Sequence, residues 1–246
     1  MNRKLFVSAA VILILAGCGS DGSAQETTAD IAAIQAAINS GQRLQEARSR
    51  DAGRKPGEIL TLSGIRIGDH VIELGSFGHY YSALLSTIVG PNGKLDMFDP
   101  TFVDFGAGAA RTFVYDRPNS EYHLIDYAEA EFPSDVDIVF NVLFYHDLMS
   151  GGIDTAALNA KVFEALKPGG AYLIVDHKAE DGSGGRDAGT LHRIDAETII
   201  EEVTGAGFEL EVESDALANP DDPHTANVFT MRGETDRAVL LFRKPD

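Results

Sequence analysis

Two stretches of the chain set an imidazole beside a carboxylate at the end of an apolar run. His146-Asp147 follows Val136 to Phe144, and Asp176-His177 follows Ala171 to Val175. An imidazole titrates near neutral pH, so a histidine oriented by a carboxylate suits general-base removal of a proton from a hydroxyl or amine. His146 is the candidate base, with Asp147 or Asp176 to orient it. The competing reading makes these residues structural polar groups that tie loops together. His192 and His224 lie on loops farther along. Imidazole and carboxylate also suit several divalent ions, but the spacing is too scattered to define a set of ligands, and no metal site is expected. Tyr80, Tyr81 and Tyr145 could line a pocket, although aromatic residues on a helix facing a sheet usually belong to the core. The glycine-rich stretch Asp181 to Gly189 reads as a surface loop, with a mobile lid as the sharper alternative.

Groups so far apart in sequence meet only if the intervening elements bring their ends together. The pattern predicts helices over Thr28 to Ser40 and Lys55 to Leu62, with a charged helix or loop over Arg43 to Arg54 between them. From there strand and helix alternate. Strands are predicted at His70–Leu74, Lys94–Phe98, Tyr122–Ile125, Val136–Phe144 and Ala171–Val175, with helices at Tyr80–Val89, Asp154–Leu166 and Ala196–Gly205. Phe208–Glu213 and Ala238–Phe242 read as a closing antiparallel pair. Alternation of this kind is the mark of a parallel α/β sheet. The fold class is therefore α/β, a doubly wound, Rossmann-like, seven-stranded sheet. Such a sheet holds its ligand beyond the carboxyl ends of the strands, at the switch point. The turn that opens at Gly75, after the first strand, would let backbone N–H groups and the next helix start approach that ligand.

Composition limits the partners. The chain has 246 residues, 20 Lys+Arg against 38 Asp+Glu, and a formal charge of −18, so nucleic acid is not an expected partner. Its single cysteine excludes an internal disulfide framework and a thiolate zinc site. That cysteine, Cys18, ends a segment with Arg3 and Lys4 before an apolar run from Leu5 to Leu15, closing Leu15-Ala16-Gly17-Cys18. The segment resembles a bacterial lipobox. It reads as a lipoprotein signal peptide over residues 1–17, with lipidation of Cys18 and a tether over 18–27. The expected location is the bacterial cell envelope, on the periplasmic face and at the outer membrane if the cell is didermal. Residues 28–54 then form an N-terminal helical segment and 55–246 the main domain.

Four local features carry a further resemblance. They are Val71-Ile72-Glu73-Leu74-Gly75-Ser76-Phe77-Gly78, the link Gly90-Pro91-Asn92-Gly93-Lys94-Leu95 ending at Asp99, Asp135-Val136-Asp137-Ile138-Val139-Phe140, and Leu166-Lys167-Pro168-Gly169-Gly170-Ala171-Tyr172-Leu173. In this order they resemble class I S-adenosyl-L-methionine (SAM)-dependent methyltransferases over roughly residues 50–243. Leu143-Phe144-Tyr145-His146-Asp147-Leu148, Val175-Asp176-His177, Leu191-His192-Arg193-Ile194-Asp195 and Asp222-Pro223-His224-Thr225 are similar to a group of predicted, often exported bacterial methyltransferases. The last two motifs have no generic structural reason to appear.

The resemblance implies SAM as cofactor, held by Glu73, Gly75 and Gly78 in the loop. Asp99 would accept from the ribose hydroxyls and Asp126 from the adenine amino group. It implies a small-molecule or surface acceptor served by His146, Asp147 and Asp176. The family's loop usually reads acidic-x-Gly-x-Gly-x-Gly, whereas Phe77 and His79 replace its second and third glycines here. Either those rings close the site and leave an inactive binding or scaffold module, or Gly78 supplies the freedom with the turn shifted by one residue. SAM is made in the cytoplasm, so an exported enzyme also implies a supply outside it. A nicotinamide-dependent oxidoreductase ranks last, because Gly75-Ser76-Phe77-Gly78 lacks the G-x-G-x-x-G spacing.

Overall fold

A computed structural model describes residues 27–102 and 106–246. The segment read as a signal peptide, Cys18 and all of the expected tether but Thr27 lie outside the described residues. Helix α1 (Thr28–Asn39) starts at a capping box, in which Asp30 N–H donates to Thr27 Oγ1 (3.2 Å) and Thr27 N–H to Asp30 Oδ2 (3.0 Å). It buries Ile34 and Ala37. Two single-turn helices follow, α2 (Gln45–Arg48) and α3 (Asp51–Arg54), then α4 (Pro56–Ser63) with proline in its first turn.

The body alternates as predicted: β1 (His70–Leu74), α5 (Tyr80–Val89), β2 (Lys94–Pro100), α6 (Ala107–Tyr115), β3 (Ser120–Ile125), β4 (Val136–Val142), α7 (Tyr145–Ser150), α8 (Thr155–Ala165), β5 (Leu166–His177), α9 (Ala188–Leu191), α10 (Ala196–Gly205), β6 (Glu209–Glu213) and β7 (Arg237–Arg243). The seven strands are ordered β3-β2-β1-β4-β5-β7-β6. The first five run parallel, while β7 is antiparallel to both β5 and β6. Strand order reverses between β1 and β4, which makes the crevice beyond their carboxyl ends the switch point.

Alternation along each strand builds two cores. Val71, Met97, Phe140, Leu173, Val239 and Leu241 pack under α1, α4 and α5. Ile72, Leu74, Val139, Tyr172, Leu240 and Phe242 pack under α7, α8 and α10. Both faces are covered, so the central strands read as continuous apolar runs. Ile34, Ala37 and Ala47 join the first core, so the N-terminal helices cover the sheet. Among the described residues no helix is long and apolar enough to cross a membrane.

Three expectations need correction. Strand β4 ends at Val142 and not at Phe144, because Leu143 takes a left-handed φ of +58° and turns the chain into α7. The prolyl-glycyl segment 167–170 is part of β5 and not a stop before it. Leu166 pairs with Val136, and Gly169 and Gly170 exchange backbone bonds with Lys244. Helices α6, α7 and the single-turn α9 were not expected.

Candidate active site

The loop after β1 is shaped by backbone sterics. Gly75 has φ +73°, and a Cβ there would sit 2.3 Å from the Phe144 ring, so only glycine fits. Ser76 then turns inward and donates its N–H (2.7 Å) and its Oγ–H (3.0 Å) to Asp99 Oδ1. Gly78 (φ +69°) and His79 (φ +52°) are both left-handed, so the turn is indeed shifted onto Gly78, with His79 in a conformation few non-glycine residues adopt. The two rings that replace the family's glycines lie to the sides. Phe77 sets its edge against Phe144 (centroids 5.2 Å apart), and His79 stacks on Phe113 of α6 (5.0 Å).

That turn lies beside three buried polar atoms with no well-formed hydrogen bond among the described residues, Asp99 Oδ2, Tyr122 Oη and His79 Nδ1, with the Tyr122 hydroxyl close to the Asp99 carboxylate. Each such atom costs about 1–3 kcal/mol if nothing satisfies it. Together, around the end of β2, they mark a place suited to a polar ligand. Burial pushes the Asp99 carboxyl up, opposed by its bonds from Ser76. Burial and then the Asp99 charge push Tyr122 up to about 12. Spacing gives no hint of Tyr122, and His79 reads in sequence as an obstruction. Asp126 stands apart from this group, exposed, with its Oδ1 accepting from Ala128 N–H (2.9 Å) in a local turn.

Glu73 is buried on the α5 side, where its Oε2 accepts from Ser82 Oγ (2.5 Å). Burial pushes its carboxyl up to about 8. A folded-state value above the unfolded one means that the native protein favours the protonated acid. Its contribution is present at low pH and is lost as pH rises from the ordinary carboxylate range through about 8. Glu73→Gln is therefore expected to match wild type near pH 5 and to exceed it by about 2–4 kcal/mol near pH 9. Urea unfolding at both pH values measures the gap, and a gap that does not change with pH would contradict the burial of an ionisable acid.

The second group lies at the ends of β4 and β5. Asp176 is fully buried. Its Oδ2 accepts the His146 backbone N–H (2.8 Å), and its Oδ1 lies 2.7 Å from both His146 Nδ1 and the His177 N–H. A carboxylate only accepts, so Nδ1 carries the proton and Nε2 is the free lone pair. His146 Nε2 is 3.4 Å from Asp147 Oδ1, and His192 Nδ1 is 3.3 Å from the same oxygen. Burial opposes charge on His146, but the carboxylates of Asp176 and then Asp147 hold its imidazole above the ordinary value. Burial would raise Asp176, yet His146 holds it below the usual carboxylate range. His177 is pushed down to about 3 by burial and hydrogen-bonds Thr235 Oγ1 (2.8 Å).

The structure thus joins His146, Asp147 and Asp176 and adds His192, which sequence spacing did not connect to them. One carboxylate and two imidazoles, with ligand atoms within 4.8 Å of one another, also form a set able to hold a divalent ion. Sequence reasoning did not expect that set. His224 lies elsewhere, 3.0 Å from Asp236 Oδ2. Tyr80, Tyr81 and Tyr145 are core residues.

The two motifs without an evident structural reason turn out to have one. Arg193 is completely buried, forks onto Asp222 (2.8 and 3.1 Å), and donates to the carbonyls of Lys178 and Ala226 (both 2.8 Å). Asp222 also accepts from the backbone N–H groups of His224 and Asp236. This clamp seats the segment that carries His192. The glycine-rich stretch beside it is pinned where Gly182 N–H donates to Asp195 Oδ2 (2.8 Å), which describes a held loop.

No family model and no curated protein matches this sequence. Solved structures do match its fold. A SAM-dependent methyltransferase from Aquifex aeolicus superposes with a TM-score of 0.58 at 16% identity, over 79% of this chain and 92% of that one. The N-methyltransferase NodS from Bradyrhizobium japonicum gives 0.56 at 16%, over 80% and 97%. Fibrillarin from Aeropyrum pernix, with natively bound SAM, gives 0.52 at 19%, over 78% and 76%. Identities this low establish the fold, the seven-stranded Rossmann-like fold of SAM-dependent methyltransferases, and leave function to the site.

Proposed function

We propose that this protein is a SAM-dependent methyltransferase, held at the bacterial cell envelope by lipid on Cys18, acting on a small-molecule or surface acceptor. The observation that carries the reading is the buried Asp99 carboxylate beside the Gly75 turn, whose Oδ2 makes no well-formed hydrogen bond among the described residues. A ribose hydroxyl is a donor suited to that oxygen, and Tyr122 and His79 add two more polar groups next to it. Gly75 and Gly78 give the loop a left-handed path, Glu73 braces it against α5 through Ser82, and Asp126 stands just beyond β3 on the side assigned to the adenine. When bound, SAM supplies a methyl group on an electrophilic sulfonium.

The chain's own residues handle the proton. As the acceptor's oxygen or nitrogen attacks, its O–H or N–H bond breaks and the proton passes to His146 Nε2. Asp176 holds the ring through Nδ1 and stabilises the imidazolium that forms. Anchoring is supported by the position of the only cysteine directly after the apolar run.

The test is calorimetric titration of SAM and of its demethylated product into the chain from Thr27 onward, which holds both cores. Micromolar binding is expected, weakened about 10- to 100-fold in Asp99→Ala through loss of a charged hydrogen-bond acceptor. An absence of binding in a chain that still melts cooperatively would overturn the reading and leave an inactive binding or scaffold module on this fold.

A further inference from the structure

The N-terminal helices bring an unusual charge into an acidic protein. Arg43, Arg50 and Arg54 all stand over the ring of Tyr80, at 5.2, 5.2 and 4.5 Å from its centroid. Tyr80 opens α5 directly after the loop that follows β1. Arg237, the first residue of β7, donates Nη2 to Gly53 O in α3 (2.7 Å) and so joins the same group. Of this group only Arg43 pairs with a carboxylate, that of Asp51. Arg43 takes that carboxylate in a bidentate pair (2.8 and 2.7 Å), and Tyr80 Oη donates to it as well (2.6 Å). Among the described residues no carboxylate lies within 4.0 Å of Arg50, Arg54 or Arg237. The Nε atoms of Arg50 and Arg237 are buried with no hydrogen-bond partner among those residues.

Such a group is unstable by itself. Arginine keeps its proton at any working pH, so the half-buried Arg50 and Arg54 and the buried Arg237, none of them in a salt bridge, favour an anion between them. Burial pushes the Arg54 and Arg237 side chains below their ordinary values, which is the same penalty in another form. A planar guanidinium matches the paired oxygens of a carboxylate or phosphate, and three of them around two tyrosines suit an oxyanion on an organic molecule.

Position indicates whose oxyanion it is. Arg237 is paired in register with His177, the residue after Asp176. Asp99 lies on β2, and three strands (β1, β4 and β5) separate it from β7. At about 4.8 Å per strand, roughly 19 Å divides β2 from β7. The group thus reaches from Arg50 and Arg54 over Tyr80, the residue after His79, across to Arg237 beside His177, so it spans the space between the Gly75 turn and the end of β5. We infer that Arg50, Arg54 and Arg237 form a binding site for a carboxylate or phosphate group of the methyl acceptor. The word acceptor rests on the methyltransferase reading; the oxyanion site itself does not.

The experiment follows thermal unfolding of the mature, lipid-bearing chain in detergent against inorganic phosphate and against succinate, each matched in ionic strength with sodium chloride. A saturable rise in Tm of about 3–6 °C over the chloride control is expected for at least one probe. It should vanish in Arg54→Met/Arg237→Met, while SAM affinity by calorimetry stays within twofold of wild type. If unfolding is too broad to read, one-dimensional ¹⁹F spectra of the chain labelled with 3-fluorotyrosine report at Tyr80 and Tyr81, and an unchanged spectrum on adding either probe overturns the site. No probe-specific rise, or an equal rise in the double variant, also overturns it. Loss of SAM binding in the double variant would give the arginines to the cofactor and overturn the acceptor assignment. SAM binding absent from wild type, with the phosphate or succinate response intact, would sink the methyltransferase reading and leave the oxyanion site standing.

Discussion

Asp176→Asn is expected to lower methyl transfer by about 10²- to 10⁴-fold, the range in which an oriented general base contributes. Three contacts argue for so large an effect from one oxygen-to-nitrogen change. The Asp176 carboxylate fixes the His146 tautomer through Nδ1, anchors the His146 backbone, and stabilises the imidazolium that forms when Nε2 takes a proton. An amide keeps one acceptor for the backbone bonds and loses the charge. The pH dependence gives the sign. His146 must be neutral to act, so the rate rises as pH passes its pKa, which Asp176 holds above the ordinary histidine value. Removing that charge moves the rise to lower pH and weakens the base on the plateau. Titration of the His146 ring protons by NMR checks the shift without any acceptor. A ring titration unchanged in Asp176→Asn, together with a loss of rate of only a few-fold, would remove His146 from the reaction. Turnover abolished by EDTA and restored by a divalent ion would transfer the step to a metal held by His146, Asp147 and His192.

The parts of this site that could be read in sequence are those placed by a strand end. Asp99, Asp176 and His146 follow apolar runs, and a parallel sheet delivers all such ends to one edge. What could not be read depends on a turn or on a distant contact. His79 comes beside Asp99 only because Gly78 and His79 take left-handed φ, which no periodicity announces, and Tyr122 reaches it through the pairing of β2 with β3. His192 reaches Asp147 across 45 residues through a loop clamped elsewhere. The arginines over Tyr80 lay in a stretch read only as charged, since nothing local says that it folds onto α5.

The elements divide in the same way. Helix α5 and strand β1 end where the sequence placed them, because long apolar runs closed by Gly75 and Gly90 leave little choice. Helix α6 is short and fully buries only two small residues, Ala107 and Ala110. Helix α7 continues the apolar run of β4, and only Leu143 at φ +58°, held by its N–H to Val175 O (2.7 Å), divides the two.

Arg193→Met is expected to cost about 3–5 kcal/mol, the range found when one partner of a buried ion pair is removed. Both side chains of the pair are wholly shielded from solvent. Methionine fills much of the volume, so the cost comes from what is stranded: the Asp222 carboxylate, with only two backbone N–H donors left, and the carbonyls of Lys178 and Ala226. In a chain of this size the loss corresponds to a fall in Tm of roughly 6–20 °C. The double variant Arg193→Met/Asp222→Asn should be no worse than Arg193→Met alone, since the amide removes the stranded charge. Acid supplies an independent check. Burial would raise Asp222, but Arg193 holds it below the usual carboxylate range, so the pair contributes fully above that range and is lost as pH falls through the lowered value. The gap between wild type and Arg193→Met should therefore narrow below about pH 4. If urea unfolding shows additive losses and a gap that does not depend on pH, the clamp is not the reason these two motifs occur together, and their residues would have to be sought in the chemistry instead.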